Sequence, residues 1–166
     1  MDQDLSMLSP EEISLLMDAH AYITVLIAGA DGNIDAEELA WAEKIAQIRT
    51  FAGDERLKEF HEKVNVEIAG KIRQFIGELP SDPAARNAII SERLEGLNPI
   101  LAALHPSIGA YLYKGYVSFA ERIAKASGGI LSFFTIGPEE KKWVSLPMLT
   151  AIAYNPDDEE KLESEE

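Results

Sequence analysis

The sequence predicts an all-α protein: a compact single-domain bundle of about seven helices with two pseudo-repeated helical hairpins. Three observations carry this. Apolar residues recur at the 3.6-residue helical period, and alternating strand patterns are nearly absent. Proline, acids and small polar residues cluster where helices should begin. Finally, Ile27-Ala-Gly-Ala-Asp-Gly-Asn-Ile-Asp-Ala-Glu-Glu-Leu-Ala-Trp41 recurs, weakened, near the other end of the chain. The second copy reads Ile123-Ala-Lys-Ala-Ser-Gly-Gly129, then six extra residues, then Ile136-Gly-Pro-Glu-Glu-Lys-Lys-Trp143. Two copies about 100 residues apart suit paired hairpins rather than a solenoid.

The elements follow in order. Ser9-Pro10-Glu11-Glu12 is a helix start, with an N-cap, a proline at the first position and acids on the positive dipole end. That helix should run to about Ala30. One stripe holds Ile13, Leu16, Met17, His20, Thr24, Ile27 and Ala28, and a second holds Leu15, Ala19, Ile23 and Leu26. A helix apolar most of the way round is central. Gly32-Asn33 should end it, and Asp35 to Glu38 should restart a helix as a capping box, running to about Phe51.

Glu55 to about Leu79 reads as one long helix or two short ones. Pro80-Ser-Asp-Pro83 is a loop that opens a helix to about Leu97, and Asn98-Pro99 should split the segment before Leu104. His105-Pro106-Ser107 opens a helix to about Ala126, ended by Gly128-Gly129. Pro138-Glu-Glu starts a last helix through about Leu146, where Pro147 stops it. The helical domain should span 8–153. Residues 154–166 form an acidic tail with little to bury.

The chain has 166 residues, enough for one domain with a sizeable core. Its net charge is −14, and Asp157 to Glu166, with seven acids and one lysine, carries −6 of that. An acidic surface repels nucleic acid and anionic lipid and attracts cations or basic partners. With no cysteine, thiol chemistry, disulfides and zinc–thiolate sites are excluded. The start Met1-Asp-Gln-Asp lacks the pattern of a signal peptide. The most apolar run, Ala21 to Ala30, is half the length of a spanning helix. A soluble, cytoplasmic protein is expected.

The repeat also isolates candidate site residues. Asp31 of the first copy becomes Ser127, and Asp35 becomes Gly137, while the shared Gly, Glu and Trp positions build the bend. An EF-hand reading fails on ligand count. With Gly32 at the sixth loop position, the first and third fall on Ile27 and Gly29, which supply no side-chain oxygen. A shallower site survives. Asp31 continues the inward stripe of His20, Thr24 and Ile27, and Glu38 lines up with Trp41, Ile45 and Ile48. Asp31, Asp35 and Glu38 can then converge, with carbonyls from the last turn of the first helix nearby. Oxygen ligands of this kind suit Ca²⁺ or Mg²⁺. The competing assignment is structural: Asp35 and Glu38 as a capping box, and Asp31-Gly32-Asn33 as turn chemistry.

Other features read as structural. His20 lies eleven residues before Asp31, about 16 Å along a helix, and should be a polar core or interface histidine. The pairs Glu11-Glu12, Glu37-Glu38 and Glu139-Glu140 all begin helices, where acids offset the dipole. Trp41 and Trp143 should be matched core anchors. Tyr111, Tyr113 and Tyr116 cannot share one face, so at least one should be exposed. No Gly-x-Ser-x-Gly elbow or phosphate loop is present.

The string Ile-Ala-x-Ala-Asp-Gly-x-Ile-Asp-x-x-Glu, leaving one helix and entering another, resembles the signature of the tellurite-resistance TerB-like domain. The resemblance spans roughly Leu8 to Ala153, and its specific part is Ile27 to Trp41. It implies two related helical halves, an association with stress and tellurite-resistance systems, and metal binding by the acids at Asp31, Asp35 and Glu38. Copy two departs from it by losing both aspartates. The expectation is a non-catalytic TerB-like domain that binds other proteins, with a divalent cation at the bend. It would have no catalytic residues, no nucleic-acid partner and no direct membrane insertion, and a homo-oligomer is compatible with it. The alternative is a metal-free adaptor working through the Phe133-Phe134 insertion and the acidic tail.

Overall fold

The computed structural model describes residues 5–30, 40, 55–127 and 138–156 of the chain. Among these residues the protein is all-helical. Six α-helices are present: α1 (Pro10–Ala28), α2 (Lys58–Glu78), α3 (Pro83–Glu95), α4 (Leu97–Ala103), α5 (Pro106–Ser127) and α6 (Pro138–Val144). A 3-10 turn, Glu55–Leu57, leads into α2. No described helix is long and apolar enough to cross a membrane.

The start of α1 is the expected capping box. Glu12 N–H donates to Ser9 Oγ at 3.2 Å, and Ser9 N–H donates to the Glu12 carboxylate at 2.8 Å. From Ala19 to Ala28 every side chain is buried, whichever way it points. α1 accordingly packs against each of the other α-helices. Residues on all sides of this axis fill the core, and the packing reaches back to the fully buried Leu5.

α1 ends at Ala28, two residues before the sequence suggested, with Gly29 as its cap. Two effects stop it there. Glycine has poor helix propensity. The Gly29 carbonyl, which a longer helix would use for its next turn, instead accepts a hydrogen bond from Arg86 Nη2.

The stretch from Glu55 to Leu79 holds one long helix, α2, after a single 3-10 turn. Phe60, Val64, Ile68, Ile72 and Phe75 of α2 form a single buried stripe against α1. Tyr22 of α1 stacks on Phe75 with ring centroids 4.1 Å apart, and Arg93 Nη1 of α3 donates to the Tyr22 hydroxyl at 2.8 Å. One aromatic ring thereby ties three helices together.

The break after α3 also falls two residues early, at Gly96 rather than at Asn98-Pro99. Gly96 N–H bonds to the Arg93 carbonyl, closing the last turn of α3. Pro99 then sits in the first turn of α4, where a missing N–H costs nothing. Tyr116 is buried, while Tyr111 and Tyr113 are both half-buried, so none of the three is exposed. His105 opens α5 by accepting from Ser107 N–H at Nδ1, 3.2 Å away.

Asp18 gives α1 a pH-dependent term. Its carboxylate lies 3.4 Å from Lys71 Nζ of α2. Burial nevertheless raises its pKa above the ordinary 3.8; Lys71 offsets this in part and Glu67 adds to it. The folded chain thus keeps the proton to higher pH than the unfolded chain. The stability Asp18 contributes is full below 3.8 and is lost as pH rises through the raised value. Urea denaturation across this range should show Asp18→Asn gaining stability relative to the parent as pH rises. A difference that shrinks with rising pH contradicts this.

Candidate functional site

Asp31, Asp35 and Glu38 lie outside the described residues, as do Trp41, the Phe133-Phe134 insertion and residues 157–166. The end of α1 that leads to the bend is described. Gly29 N–H bonds to the Val25 carbonyl at 3.0 Å, and Ala30 N–H to the Ile27 carbonyl at 3.3 Å. With Gly29 O accepting from Arg86, the Val25, Ile27 and Gly29 carbonyls each have a donor. The Gly29 carbonyl, nearest the bend of these three, is thus shared with a side chain from α3.

Arg86 is only 6% exposed. Its Nε, and Oδ1 of the neighbouring Asn87, are buried with no hydrogen-bond partner among the described residues. The guanidinium faces the negative end of the α1 dipole, which accounts for a buried cation there. It also places a fixed positive charge at the threshold of the acidic bend. Sequence reasoning missed Arg86, although one signal was available. A cation near the start of α3 opposes that helix's own dipole, so it needs a partner elsewhere.

His20 is buried, as the sequence suggested. Its ring lies 5.0 Å from that of Tyr116 and 5.4 Å from that of Phe119, with His61 at 6.3 Å. The neighbouring polar groups bond to main chain: Thr24 Oγ1 donates to the His20 carbonyl at 2.9 Å, and Tyr116 OH to the Leu16 carbonyl at 2.7 Å. Chemically, this cluster holds α1, α2 and α5 in register. Among the described residues no group of three or more His, Cys, Asp or Glu is placed to hold a metal ion.

A second polar feature was also missed. Asn98, read from sequence as a helix breaker, sends both ends of its side-chain amide to the segment that follows α6. Nδ2 donates to the Met148 carbonyl at 2.9 Å, and Oδ1 accepts from Thr150 N–H at 2.8 Å. Nothing in a single sequence pairs residues 50 apart, so no signal marked it.

No protein-family model, curated protein or solved structure matches this chain. The all-helical fold and the contacts just described are the ground for a functional reading.

Proposed function

We propose that this chain is a non-catalytic helical interaction module of the TerB-like kind, built from two related hairpins and serving a stress or tellurite-resistance system. The observation that carries the non-catalytic reading is how the interior spends its polar groups. Thr24, Tyr116, Arg86 and Asn98 each bond to main-chain atoms, so their chemistry goes into holding segments in place.

In the fuller form of this reading, Asp31, Asp35 and Glu38 take up Ca²⁺ or Mg²⁺ weakly. Arg86 holds the Gly29 carbonyl, so in this form carboxylates and water supply most of the ligands. Binding in about the millimolar range is the expected outcome for so incomplete a ligand set. The second form is a metal-free adaptor, in which Asp35 and Glu38 serve as a capping box.

Titration with Ca²⁺ or Mg²⁺, followed by tryptophan fluorescence, separates the two forms. The fuller form gives a millimolar response that Asp31→Asn removes. No response at millimolar metal, or one unchanged in Asp31→Asn, leaves the adaptor form.

A further inference from the structure

α2 packs mainly on α1 and leaves its opposite side exposed, and this helix differs from the rest of the chain in charge. The whole chain carries −14. α2 carries zero, because Lys58, Lys63, Lys71 and Arg73 balance Glu59, Glu62, Glu67 and Glu78. We propose that the outer face of α2 is a contact between two copies of this chain, with the two α2 helices antiparallel across a two-fold axis.

Charge selects the partner. Two strongly acidic bodies repel across any acidic face, and the repulsion is least where the facing surfaces are neutral. A basic partner would instead be drawn to the acidic surfaces and would gain nothing at α2. The balance is also ordered along the helix. Lys58 to Glu67 holds two bases and three acids, −1, while Ile68 to Glu78 holds two bases and one acid, +1. An antiparallel pair sets each half against its opposite, and a two-fold axis makes the two contacts identical.

The same face carries a projecting apolar side chain and a place to receive it. Val66 is 83% exposed, the most of any large hydrophobic side chain among the described residues. Gly70 stands four residues on and Gly77 eleven, so all three share the outer face. A Cβ on either glycine meets nothing within 4 Å. Packing inside the chain therefore does not call for glycine here, although glycine weakens a helix interior. Its use is to a body arriving from outside, since a second helix approaches closely where side chains are missing. In an antiparallel pair centred at the level of Ile68, the middle of α2, Val66 of each copy falls opposite Gly70 of the other. Each valine then fills the gap that the other copy's glycine leaves.

This proposal rests on the interaction reading but not on its cation, so its failure leaves the Asp31 titration untouched. Sedimentation velocity on the full chain, from about 1 μM to about 1 mM, should show a dimer that grows with concentration. Val66→Asp changes an exposed site and keeps the fold, as circular dichroism checks, but should raise the dimer Kd at least about tenfold. Gly70→Ala separates the contact from the fold. It should make the dilute monomer harder to unfold, yet it should also raise the dimer Kd about tenfold, because its Cβ closes the gap. Added salt should tighten the dimer by screening the repulsion between two acidic chains, whereas it would weaken the hold of a basic partner. A parent chain that stays monomeric throughout, a dimer that either substitution leaves unchanged, or one that salt loosens overturns the proposal.

Discussion

Phe119→Ala is expected to lower stability by about 3–5 kcal/mol. Phe119 is completely buried, with its ring against His20 where α1 and α5 meet. Truncation removes most of a large apolar side chain and leaves a cavity that the surrounding close-packed helices fill only in part. A whole domain is stable by only about 5–15 kcal/mol, so this single change removes a large share. Chemical denaturation read by circular dichroism measures it. A loss below about 1 kcal/mol, the range of ordinary surface substitutions, contradicts the placement of Phe119 at the centre of the core.

The second large effect comes from glycines of opposite sign. A Cβ on Gly109 would lie 2.7 Å from the Leu101 carbonyl oxygen, a main-chain atom of α4 that cannot swing aside. Gly109→Ala should therefore push α4 from α5 and cost about 1–3 kcal/mol. Gly70 and Gly77 lie on the exposed face of α2, and a Cβ there meets nothing within 4 Å. Replacing either with alanine should stabilise the protein by about 1 kcal/mol, because alanine loses less conformational freedom in a helix. Urea midpoints of the three variants give the comparison. A loss at Gly70, or a gain at Gly109, contradicts the helix packing described.

The sequence made legible whatever depends on local chemistry. The capping box at Ser9 and Glu12 needs residues three apart, and it formed as read. The central position of α1 followed from a stripe that goes most of the way round the helix, and Ala19 to Ala28 are all buried. Helix ends were read less well, for a physical reason. Gly29 stops α1 because Arg86, 57 residues away, takes its carbonyl. Gly96 ends α3 ahead of the more conspicuous Asn98-Pro99, because proline is tolerated in the first turn of the next helix.

The same division applies to the candidate site. Asp31, Asp35 and Glu38 stand out through local spacing and through the contrast between the two copies. Arg86 and Asn98 act on segments distant in sequence, and a helical period carries no information about such partners. Arg86 changes the reading of the bend most. The Gly29 carbonyl, one of the oxygens expected beside the acids, already accepts from its guanidinium.

The most direct test is a crystal structure of the full chain grown with millimolar Ca²⁺. The fuller reading predicts one ion bound by carboxylate oxygens of Asp31, Asp35 and Glu38 at about 2.3–2.6 Å, with waters completing its shell. Arg86 would still hold the Gly29 carbonyl. A bend with no ion, in which Asp35 and Glu38 serve only as a capping box, would contradict it and leave a metal-free adaptor.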